Sequence, residues 1–576
     1  MAHPGLGFQR TAQYCHCEFF YKILRTTVLS NIFTQIKLNY THWPDIHLDM
    51  NSEQPTTSAN VLKEIEVVAP KYKELFEKGR TLFEPEKLAA KKPLHILFVV
   101  PPVAKDGEYG RLSKFAGELP WLGTAYVAAA ARKVGHKSTI IDYEAARQGY
   151  AAVRADIERL QPDLVAMALF ITNTDKCLEV AKIAKSVNPK IKVVLGGPQA
   201  TIFPDEAIAH EEIDCLFYSE AEISFCNFLN VFHEKEKWSD VRGIIYRDAS
   251  QKVVKTPRQP LIDDLDTVPP PALDLYDLNQ YSPTPQIRGR KVANLVTSRG
   301  CPYTCSFCEA KMTFGRTFRH LSPEVVMSQL NFMNKTWGID SFQFWDDIFT
   351  TDRKRVIELC KKMIDNPIHF KWMCWTRTDL VDSELLGYMK RAGCYLIFFG
   401  CESGSQKLLD RIRKKLTVAQ NYEGIRLTRE AGILAQSSFM VGLPGETPEE
   451  TQATVEFTLK SNLDWMTIGI MEPYPGTDMW NDALKSGYFM DTDSQYNNIL
   501  LTNFSKIWVP HGRTRKELED AVHQAMRRFY LRPRQILQYV FNIPHAGWKR
   551  TWKMFSAGVD YFLFARFRNI KTHARY

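Results

Sequence analysis

Two successive blocks, in which short apolar runs alternate with helix-like segments, constrain the fold of this protein more than any other feature. The first block begins at residue 92, and its apolar runs cover residues 95–100, 138–143, 164–170, 192–197 and 215–220. Short runs that are apolar throughout are typical of parallel strands buried on both faces. Because helix-like segments separate these runs, the block predicts an α/β domain with a doubly wound, Rossmann-like sheet of five strands over residues 92–235.

The second block begins at Val292 and contains six apolar runs, each next to a helix-like segment such as residues 322–338. Six such units predict an incomplete barrel of the triosephosphate isomerase type, a partial (β/α)6 barrel over residues 291–497. In both domains we expect ligands at the carboxyl ends of the strands, because the strand-to-helix loops of a parallel sheet gather there.

The segments outside these blocks differ in composition. Residues 236–290 are rich in proline and aspartate and predict a linker, and residues 498–576 predict a helical region with many aromatic and basic side chains. Residues 1–91 predict an N-terminal extension. Residues 1–49 show no periodic apolar pattern and no signal peptide, so we expect Met50 to be the native start and the preceding residues to carry no chemistry.

Bulk composition excludes several classes of protein. The sequence has 576 residues, of which 45% are hydrophobic and 24% charged, as expected of a globular protein with several domains. No run of about 18 or more apolar residues occurs, so no membrane span is predicted. The net charge of +9 is mild and suits an acidic ligand or peripheral contact with an anionic membrane without requiring either. Twelve cysteines in this length argue against a secreted disulfide scaffold and favour the reducing cytoplasm.

The strongest local signal is a Cys-x3-Cys-x2-Cys motif formed by Cys301, Cys305 and Cys308, directly after the first strand of the second block. Three thiolates on one loop suit an iron–sulfur cubane whose fourth iron has no protein ligand. A ferredoxin needs a fourth cysteine, but the next one, Cys360, lies far along a predicted helix. A structural zinc site also needs four ligands, and no second pair follows at zinc-finger spacing, so a zinc or purely structural loop is the weaker alternative.

Polar and glycine-rich turns follow other strands of the second block. Residues 400–404 (Gly-Cys-Glu-Ser-Gly) end the fourth strand, and residues 441–447 (Val-Gly-Leu-Pro-Gly-Glu-Thr) end the fifth. Thr447 is a predicted N-cap for the next helix. Asp346 and Asp347 end the second strand, where they either face the mouth of the barrel or cap a helix.

The cysteine motif resembles the signature of radical S-adenosylmethionine (SAM) enzymes, and the two glycine-rich turns resemble the segments with which that family binds SAM. The resemblance covers most of residues 290–480. It implies a 4Fe-4S cluster held by the three cysteines, whose open iron chelates SAM and whose electron cleaves SAM to a 5′-deoxyadenosyl radical. The residues implied to contact SAM are Phe307, Gly400, Glu402, Ser403, Gly442, Pro444 and Glu446.

The first block resembles the cobalamin-binding domain that precedes the barrel in one large group of radical SAM enzymes. The resemblance rests on residues 101–102, 120–126, 196–201 and 219–222. It implies that cobalamin is bound at one strand end, where glycines leave room for a bulky corrin. The residues concerned are Gly196, Gly197 and Pro198.

Two segments of this domain depart from the family pattern. Gln199 replaces the histidine of Gly-Gly-Pro-His, and Ser219 and Ala221 replace the glycines of Gly-Glu-Gly-Glu. The Asp-x-His-x-x-Gly loop of methionine synthase-type proteins is also missing after the first strand, so cobalt would have no histidine ligand from that loop. A sheet that kept its fold and lost cobalamin is the alternative interpretation.

Cobalamin combined with radical SAM chemistry implies methylation of an unactivated carbon. The domain order and residues 528–533 (Arg-Phe-Tyr-Leu-Arg-Pro) resemble the subgroup that contains the anaerobic magnesium-protoporphyrin ester cyclase and the methyltransferases that act on carbon atoms of bacteriochlorophyllide side chains. The resemblance implies an apolar or tetrapyrrole small molecule as substrate and an electron donor such as ferredoxin or flavodoxin. The aromatic residues over 548–564 would either form the floor of a pocket for a flat pigment or build core.

Several other functions compete with methylation. Oxidative ring closure of the cyclase type is the alternative reaction, and another apolar natural product such as a hopanoid is the alternative acceptor. Methylthiolation of tRNA is rejected, because the first block lacks a second group of three closely spaced cysteines, and no nucleic acid partner is expected. A cobalamin-binding sensor without enzymatic activity would leave the cysteine motif unexplained.

Overall fold

A computed structural model of the protein describes residues 92–102, 119–281, 286–491 and 506–538. The predicted extension over residues 1–91, including the proposed start at Met50, lies outside the described residues, as do the aromatic residues over 548–564. Within the described ranges the two blocks form two largely parallel sheets, which confirms the predicted α/β fold class.

The first domain is built on a seven-stranded sheet. Its strands are β1 (His95–Val100), β2 (Lys137–Asp142), β3 (Leu164–Ala168), β4 (Lys192–Gly196), β5 (Cys215–Phe217), β6 (Ile244–Arg247) and β7 (Val253–Lys255). Its helices are α1 (Leu122–Lys133), α2 (Tyr150–Leu160), α3 (Thr174–Val187), α4 (Pro198–Ile202), α5 (Pro204–Ile208) and α6 (Glu222–Asn230). The strand order is β2-β1-β3-β4-β5-β6-β7, and β1 to β5 are parallel, as the five apolar runs predict.

Two strands of this sheet come from the segment that the sequence predicts to be a linker. Strand β6 pairs antiparallel with β5, and β7 pairs antiparallel with β6. Residues 236–290 are therefore not only a linker, because their first part completes the sheet. Both strands are short, and β7 is a largely exposed edge, so neither has the long apolar run that marks a central strand.

The second domain is built on a six-stranded parallel sheet. Its strands are β8 (Val292–Leu295), β11 (Ser341–Phe344), β12 (Lys371–Thr376), β13 (Cys394–Glu402), β14 (Leu434–Val441) and β15 (Trp465–Ile470), and a two-stranded ribbon is formed by β9 (Ser298–Arg299) and β10 (Arg319–His320). Its helices are α7 (Ala310–Thr313), α8 (Pro323–Trp337), α9 (Arg353–Asp365), α10 (Ser383–Arg391), α11 (Gln406–Arg411), α12 (Val418–Glu430), α13 (Pro448–Lys460) and α14 (Asp478–Ser486). The order β15-β14-β13-β12-β11-β8 confirms the predicted six-strand barrel sheet.

Polar N-cap residues begin seven of the eight helices of the second domain, all except α7. A hydroxyl or carboxylate oxygen of the residue before the helix accepts a hydrogen bond from the backbone of its first turn, which satisfies an otherwise unpaired N–H group. Thr447 caps α13 in this way and forms a reciprocal capping box with Glu450, which confirms its predicted role. The other residues with this role are Ser322, Asp352, Asp382, Ser405, Thr417 and Thr477.

The last described segment closes the barrel sheet at its open edge. It comprises a hairpin of β16 (Gly487–Asp491) and β17 (Lys506–Pro510), followed by α15 (Arg515–Tyr530). Helix α15 lies against β15, where the Tyr530 hydroxyl donates to the backbone carbonyl of Met466 at 2.5 Å. Among the described residues, no helix is both long enough and apolar enough to cross a bilayer.

We expect the replacement Gly393→Ala to destabilise the protein strongly. Gly393 precedes β13 with φ of 96°, and a Cβ there would lie 2.0 Å from the carbonyl oxygen of Phe370. Both the left-handed backbone and the clash oppose any larger residue, so the unfolding free energy should fall by more than about 1 kcal/mol. Gly387→Ala, inside α10 with no atom within 4 Å of the added Cβ, is the matched control and should stabilise by about 0.5–1 kcal/mol. Equal effects in chemical unfolding would contradict this account.

Candidate active site

The cysteine motif lies on a loop that is closed at its base by the β9–β10 ribbon. Arg299 precedes the loop and pairs directly with Arg319, which follows it. Gly300 begins the loop with φ of 85°, and a Cβ there would lie 2.2 Å from the carbonyl oxygen of Thr317. Any larger residue at this position would force the base of the loop apart, so residue 300 has to be glycine.

The three motif cysteines differ from the other described cysteines in exposure. Cys301, Cys305 and Cys308 are partly exposed, whereas the seven others that the structure describes are buried. Burial raises the pKa of the Cys301 thiol, an effect that a hydrogen bond from the backbone of Tyr303 opposes. Burial likewise raises the pKa of Cys308 to about 12, opposed by the backbone of Ala310. Binding of a metal at these thiols therefore has to release protons.

The chemistry of this loop fits an iron–sulfur cluster. Its three thiols can each bind a different iron atom of a cubane. The backbone hydrogen bonds to Cys301 and Cys308 are also of the kind that surrounds cluster sulfurs. The residues present thus fit an iron–sulfur cluster with three protein ligands.

The barrel fixes the middle of the loop independently of its base. The guanidinium of Arg377, at the end of β12, lies over the Tyr303 ring at 3.8 Å from the ring centre. The backbone N–H of Ser306 donates to the carbonyl of Ile412 at 2.9 Å, and the carbonyl of Ser306 accepts from Met479 at 2.9 Å. These contacts hold the thiols relative to the ends of β12, α11 and α14.

Glu402 forms a buried ion pair that the sequence did not reveal. It lies at the end of β13 with φ of 64°, and its Oε1 accepts from Lys414 Nζ at 2.8 Å. Burial lowers the pKa of Lys414, but the carboxylate of Glu402 outweighs this effect and holds that pKa above its ordinary value. Lys414 also lies over the ring of Phe307, 5.9 Å from its centre. The pair therefore joins the fourth strand to the cysteine loop, at the position where the resemblance places SAM.

Gly400 and Ser403 shape the surroundings of this pair. A Cβ at Gly400 would lie 2.5 Å from Glu402 Oε1 and 3.0 Å from Lys414 Nζ, so glycine makes room for the ion pair. The Ser403 hydroxyl bonds to that of Thr454 at 2.9 Å and ties the turn to α13. Their predicted contact with SAM stays a prediction.

The turn after β14 is held by its own carboxylate. Glu446 accepts from the backbone N–H of Leu443 at 2.7 Å with one oxygen and from the Thr451 hydroxyl at 2.6 Å with the other. Both oxygens of Glu446 are thus engaged in shaping the turn. Gly442 and Pro444 lie on this turn, and contact of its backbone with SAM stays a prediction.

The two aspartates after β11 have different environments. Asp346 is buried and accepts three hydrogen bonds of 2.6 Å, two from Thr297 and one from the hydroxyl of Ser298. It therefore holds the end of β8, just before the cysteine loop. Asp347 is exposed at the barrel mouth. Neither aspartate caps α9, whose N-cap is Asp352.

The Gly-Gly-Pro segment forms the carboxyl edge of the first sheet. Gly197 has φ of 103°, and a Cβ there would lie 3.1 Å from the Leu169 carbonyl, so the neighbouring strand already requires this glycine. A Cβ at Gly196 would lie 3.6 Å from the Cβ of Phe217, which is an ordinary van der Waals distance. Pro198 begins α4, and the ring of Phe170, just after β3, is exposed. The cobalamin role of Gly196, Gly197 and Pro198 stays a prediction.

The Ser-Glu-Ala-Glu segment has a role that sequence reasoning missed. Glu220 binds Arg319 at 2.8 Å, and Glu222 binds Arg299 at 2.6 Å, with all four side chains at most 7% exposed. This acid–arginine cluster, formed by Glu220, Glu222, Arg299 and Arg319, joins the first domain to the base of the cysteine loop. Arg299 lies two residues before the motif, but nothing in the sequence pairs it with a glutamate 77 residues earlier.

A row of aromatic side chains lies on one side of the barrel sheet. Neighbours in register on parallel strands point to the same face, and Trp375 of β12 is in register with Phe398 of β13. Their rings stack at 5.8 Å, and Trp345, just after β11, meets Trp375 edge to face at 6.0 Å. Trp345 is 46% exposed, so its indole is available to a ligand at the carboxyl ends of the strands.

One carboxyl group at the strand ends has a strongly raised pKa. Burial raises the pKa of Glu472, just after β15, to about 7 although the charge of Arg515 opposes it. The mouth of the barrel therefore carries a carboxyl group that titrates near neutral pH.

We expect Glu472→Gln to change the pH dependence of stability. Glu472 ionises near 4.5 when unfolded and near 7 when folded, so between these values the native state binds a proton that the unfolded state lacks. The unfolding free energy of the parent protein should therefore fall, relative to that of Glu472→Gln, as pH rises from about 5 to about 7. Thermal unfolding of both apoproteins at several pH values measures this difference. A difference that does not vary with pH would contradict the raised pKa.

Comparison with protein families matches both domains. The B12 binding domain matches residues 110–229, and the Radical SAM superfamily matches residues 295–458. The second match includes the cysteine loop and the turns at Glu402 and Glu446, and the first includes the Gly-Gly-Pro edge and the acid pair Glu220 and Glu222.

Individual relatives match this protein over most of their length. An uncharacterized methyltransferase of Pyrococcus horikoshii is 30% identical over 459 residues, covering 78% of this protein and 95% of the relative. The anaerobic magnesium-protoporphyrin IX monomethyl ester cyclase of Rubrivivax gelatinosus is 30% identical, with coverage of 78% and 79%. The structure of the radical SAM methyltransferase TsrM from Kitasatospora setae, with cobalamin and a [4Fe-4S] cluster bound, shares the fold at a TM-score of 0.60 and 15% identity, over 77% of this protein and 90% of that one. The protein therefore belongs to the cobalamin-dependent radical SAM methyltransferase family, whose cofactors are cobalamin, SAM and a 4Fe-4S cluster.

Proposed function

We propose that this protein transfers a methyl group from SAM, by way of cobalamin, to an unactivated carbon of an apolar small molecule. One observation carries the proposal. Helix α4, which begins at Pro198 on the carboxyl edge of the first sheet, packs on helix α7, which follows Cys308. A methyl carrier and a radical source have to reach the same carbon, and the contact between the regions assigned to them supports this requirement.

In this scheme the residues of the protein bind and orient the cofactors. When bound, the cluster and SAM supply a carbon-centred radical, and cobalamin supplies the methyl group. Cys301, Cys305 and Cys308 hold the cluster. Lys414 and Glu402 offer one positive and one negative group to the amino-acid end of SAM.

The remaining predicted contacts divide between the two cofactors. The backbone at Gly442 and Pro444 lies on the turn after β14 and is assigned to the adenine side of SAM. Gly196, Gly197 and Pro198 form the edge assigned to cobalamin.

The aromatic row supports a flat, apolar substrate. Trp345, Trp375 and Phe398 offer ring faces on which a conjugated ring system stacks well. We therefore assign the side chain of a tetrapyrrole, such as a bacteriochlorophyllide, as the acceptor. The 30% identity to a magnesium-protoporphyrin ester cyclase supports a tetrapyrrole but also favours a second candidate reaction, oxidative ring closure.

An external reductant is part of the scheme. Reductive cleavage of SAM consumes one electron, and the return of cobalamin to the state that accepts a methyl group from SAM consumes another; a ferredoxin or flavodoxin is the class of donor that fits. An oxygen-sensitive cluster and the seven buried free thiols among the described residues suit the reducing cytoplasm as the site of action.

The reaction is tested in an anaerobic assay with methyl-labelled SAM, cobalamin and a bacteriochlorophyllide. Each methylation should release one S-adenosylhomocysteine and one 5′-deoxyadenosine, because one SAM donates the methyl group and a second supplies the radical. The measurement is mass spectrometry of all three products. A substrate that loses hydrogen without gaining the label, with deoxyadenosine alone as by-product, would instead establish ring closure.

Replacement of Cys301, Cys305 and Cys308 by Ala should abolish the iron–sulfur absorbance and the cleavage of SAM after anaerobic reconstitution, because no thiolate ligands remain. Cys226→Ala is the matched control, since Cys226 is buried beside Ala130 and Val134 and should leave the iron content unchanged. Iron and sulfide analysis measures the outcome, and a full cluster in the triple variant would refute the ligand assignment.

A further inference from the structure

The base of the cysteine loop is electrostatically unfavourable by itself. The β9–β10 ribbon places Arg299 directly opposite Arg319, and the two side chains are only 7% and 4% exposed. Like charges on facing residues of neighbouring strands repel each other, and burial strengthens the repulsion. The ribbon therefore needs negative partners to form as it does.

The partners are the carboxylates of the Ser-Glu-Ala-Glu segment in the first domain. Glu220 binds both terminal nitrogens of Arg319, at 2.8 and 3.0 Å, and Glu222 binds Arg299 at 2.6 Å. The glutamate side chains are 2% and 6% exposed. Two positive and two negative groups thus neutralise one another, and the carboxylates lie 99 and 77 residues before their arginines.

A second contact joins the same segment to the far side of the loop. The Ser219 hydroxyl donates to the carbonyl of Thr313 at 3.3 Å, and Arg258 binds both Ser219 Oγ at 2.9 Å and the carbonyl of Met312 at 3.1 Å. Thr313 ends helix α7, which follows the last motif cysteine. One short segment of the first domain therefore contacts the loop at its base and beyond its last thiol.

The contacts of the first domain and those of the barrel fix the cysteine loop relative to different parts of the molecule. Tyr303 with Arg377, and Ser306 with Ile412 and Met479, fix the loop relative to the barrel. The acid–arginine cluster fixes the loop relative to the carboxyl edge of the first sheet. The two sets of contacts therefore control separate distances.

We propose that Glu220 and Glu222 are positioning residues that hold the cysteine loop at a set distance from the cobalamin edge. The inference rests on the proposed function, since it concerns the two cofactors that this function uses. Loss of the carboxylates should leave SAM cleavage at the iron–sulfur cluster nearly unchanged, because that reaction depends on the barrel contacts. It should impair transfer of the SAM methyl group to cobalamin.

The test uses full-length Glu222→Gln, reconstituted anaerobically with cluster, cobalamin and SAM and reduced with titanium(III) citrate. No acceptor substrate is needed, because deoxyadenosine reports cleavage and S-adenosylhomocysteine reports methylation of cobalamin. Deoxyadenosine should stay within about twofold of the parent, while S-adenosylhomocysteine formation should fall by about tenfold to a hundredfold, as expected of a small misplacement. Glu222→Asp, which keeps the charge, should recover part of the loss.

Hydrogen–deuterium exchange of the apoproteins gives a readout independent of activity. Glu222→Gln should increase exchange in residues 298–320 and leave the strands of the barrel unchanged. The matched control is Asp464→Asn, which removes a buried partner of Arg429 within the barrel, 2.6 Å away, and should lower both SAM products in the same proportion.

Three results would overturn the proposal. The first is a proportional fall of both SAM products in Glu222→Gln, and the second is unchanged exchange over residues 298–320. The third is failure of both the Gln and Asp variants to fold, which would mean that the acid–arginine cluster serves stability alone. Failure of the proposed function gives a different result, because the parent protein would then form no S-adenosylhomocysteine at all.

Discussion

The buried cluster of Glu220, Glu222, Arg299 and Arg319 is the interaction on which the organisation of this protein depends. A buried charge that loses its partner destabilises a protein by about 3–5 kcal/mol, which is a large share of a typical folding free energy of about 5–15 kcal/mol. Each arginine is therefore stable in the ribbon only when the first domain is folded against the barrel. Docking of the first domain and the arrangement of the β9–β10 base of the cysteine loop are coupled by charge neutralisation.

Other buried polar groups around the loop follow the same principle. Asp346 accepts three short hydrogen bonds from Thr297 and Ser298, and Lys414 neutralises Glu402 beside Phe307. Each of these groups satisfies its partners within the protein and orients a backbone segment that leads to the site. The three cysteines, by contrast, remain partly exposed, and backbone N–H groups face the thiols of Cys301 and Cys308. The loop thus has a rigid polar support, and its thiols remain accessible for binding a cluster.

The mouth of the barrel combines apolar surface with a carboxyl group that titrates near neutral pH. Trp345 exposes much of its indole, and burial raises the pKa of Glu472 to about 7. A carboxyl group in its neutral form lowers the cost of enclosing an apolar ligand, because one charge fewer has to lose water.

The sequence by itself determined the fold class, the order of the two domains and the cysteine motif. Apolar runs of strand length with helices between them allow few other solutions, and three cysteines at this spacing have few other uses. The bounds of the first sheet could not be predicted completely, since β6 and β7 are short and one of them is an exposed edge. Only the tertiary structure decided which charges meet. Glu220 and Glu222 resembled a cofactor-binding segment, yet both are buried against arginines from distant parts of the sequence. Lys414 stood in a charged run, yet it is buried against Glu402, 12 residues earlier. The pairings between the domains depend on how the two sheets dock, and local patterns in a sequence carry no information about which segments that docking brings together.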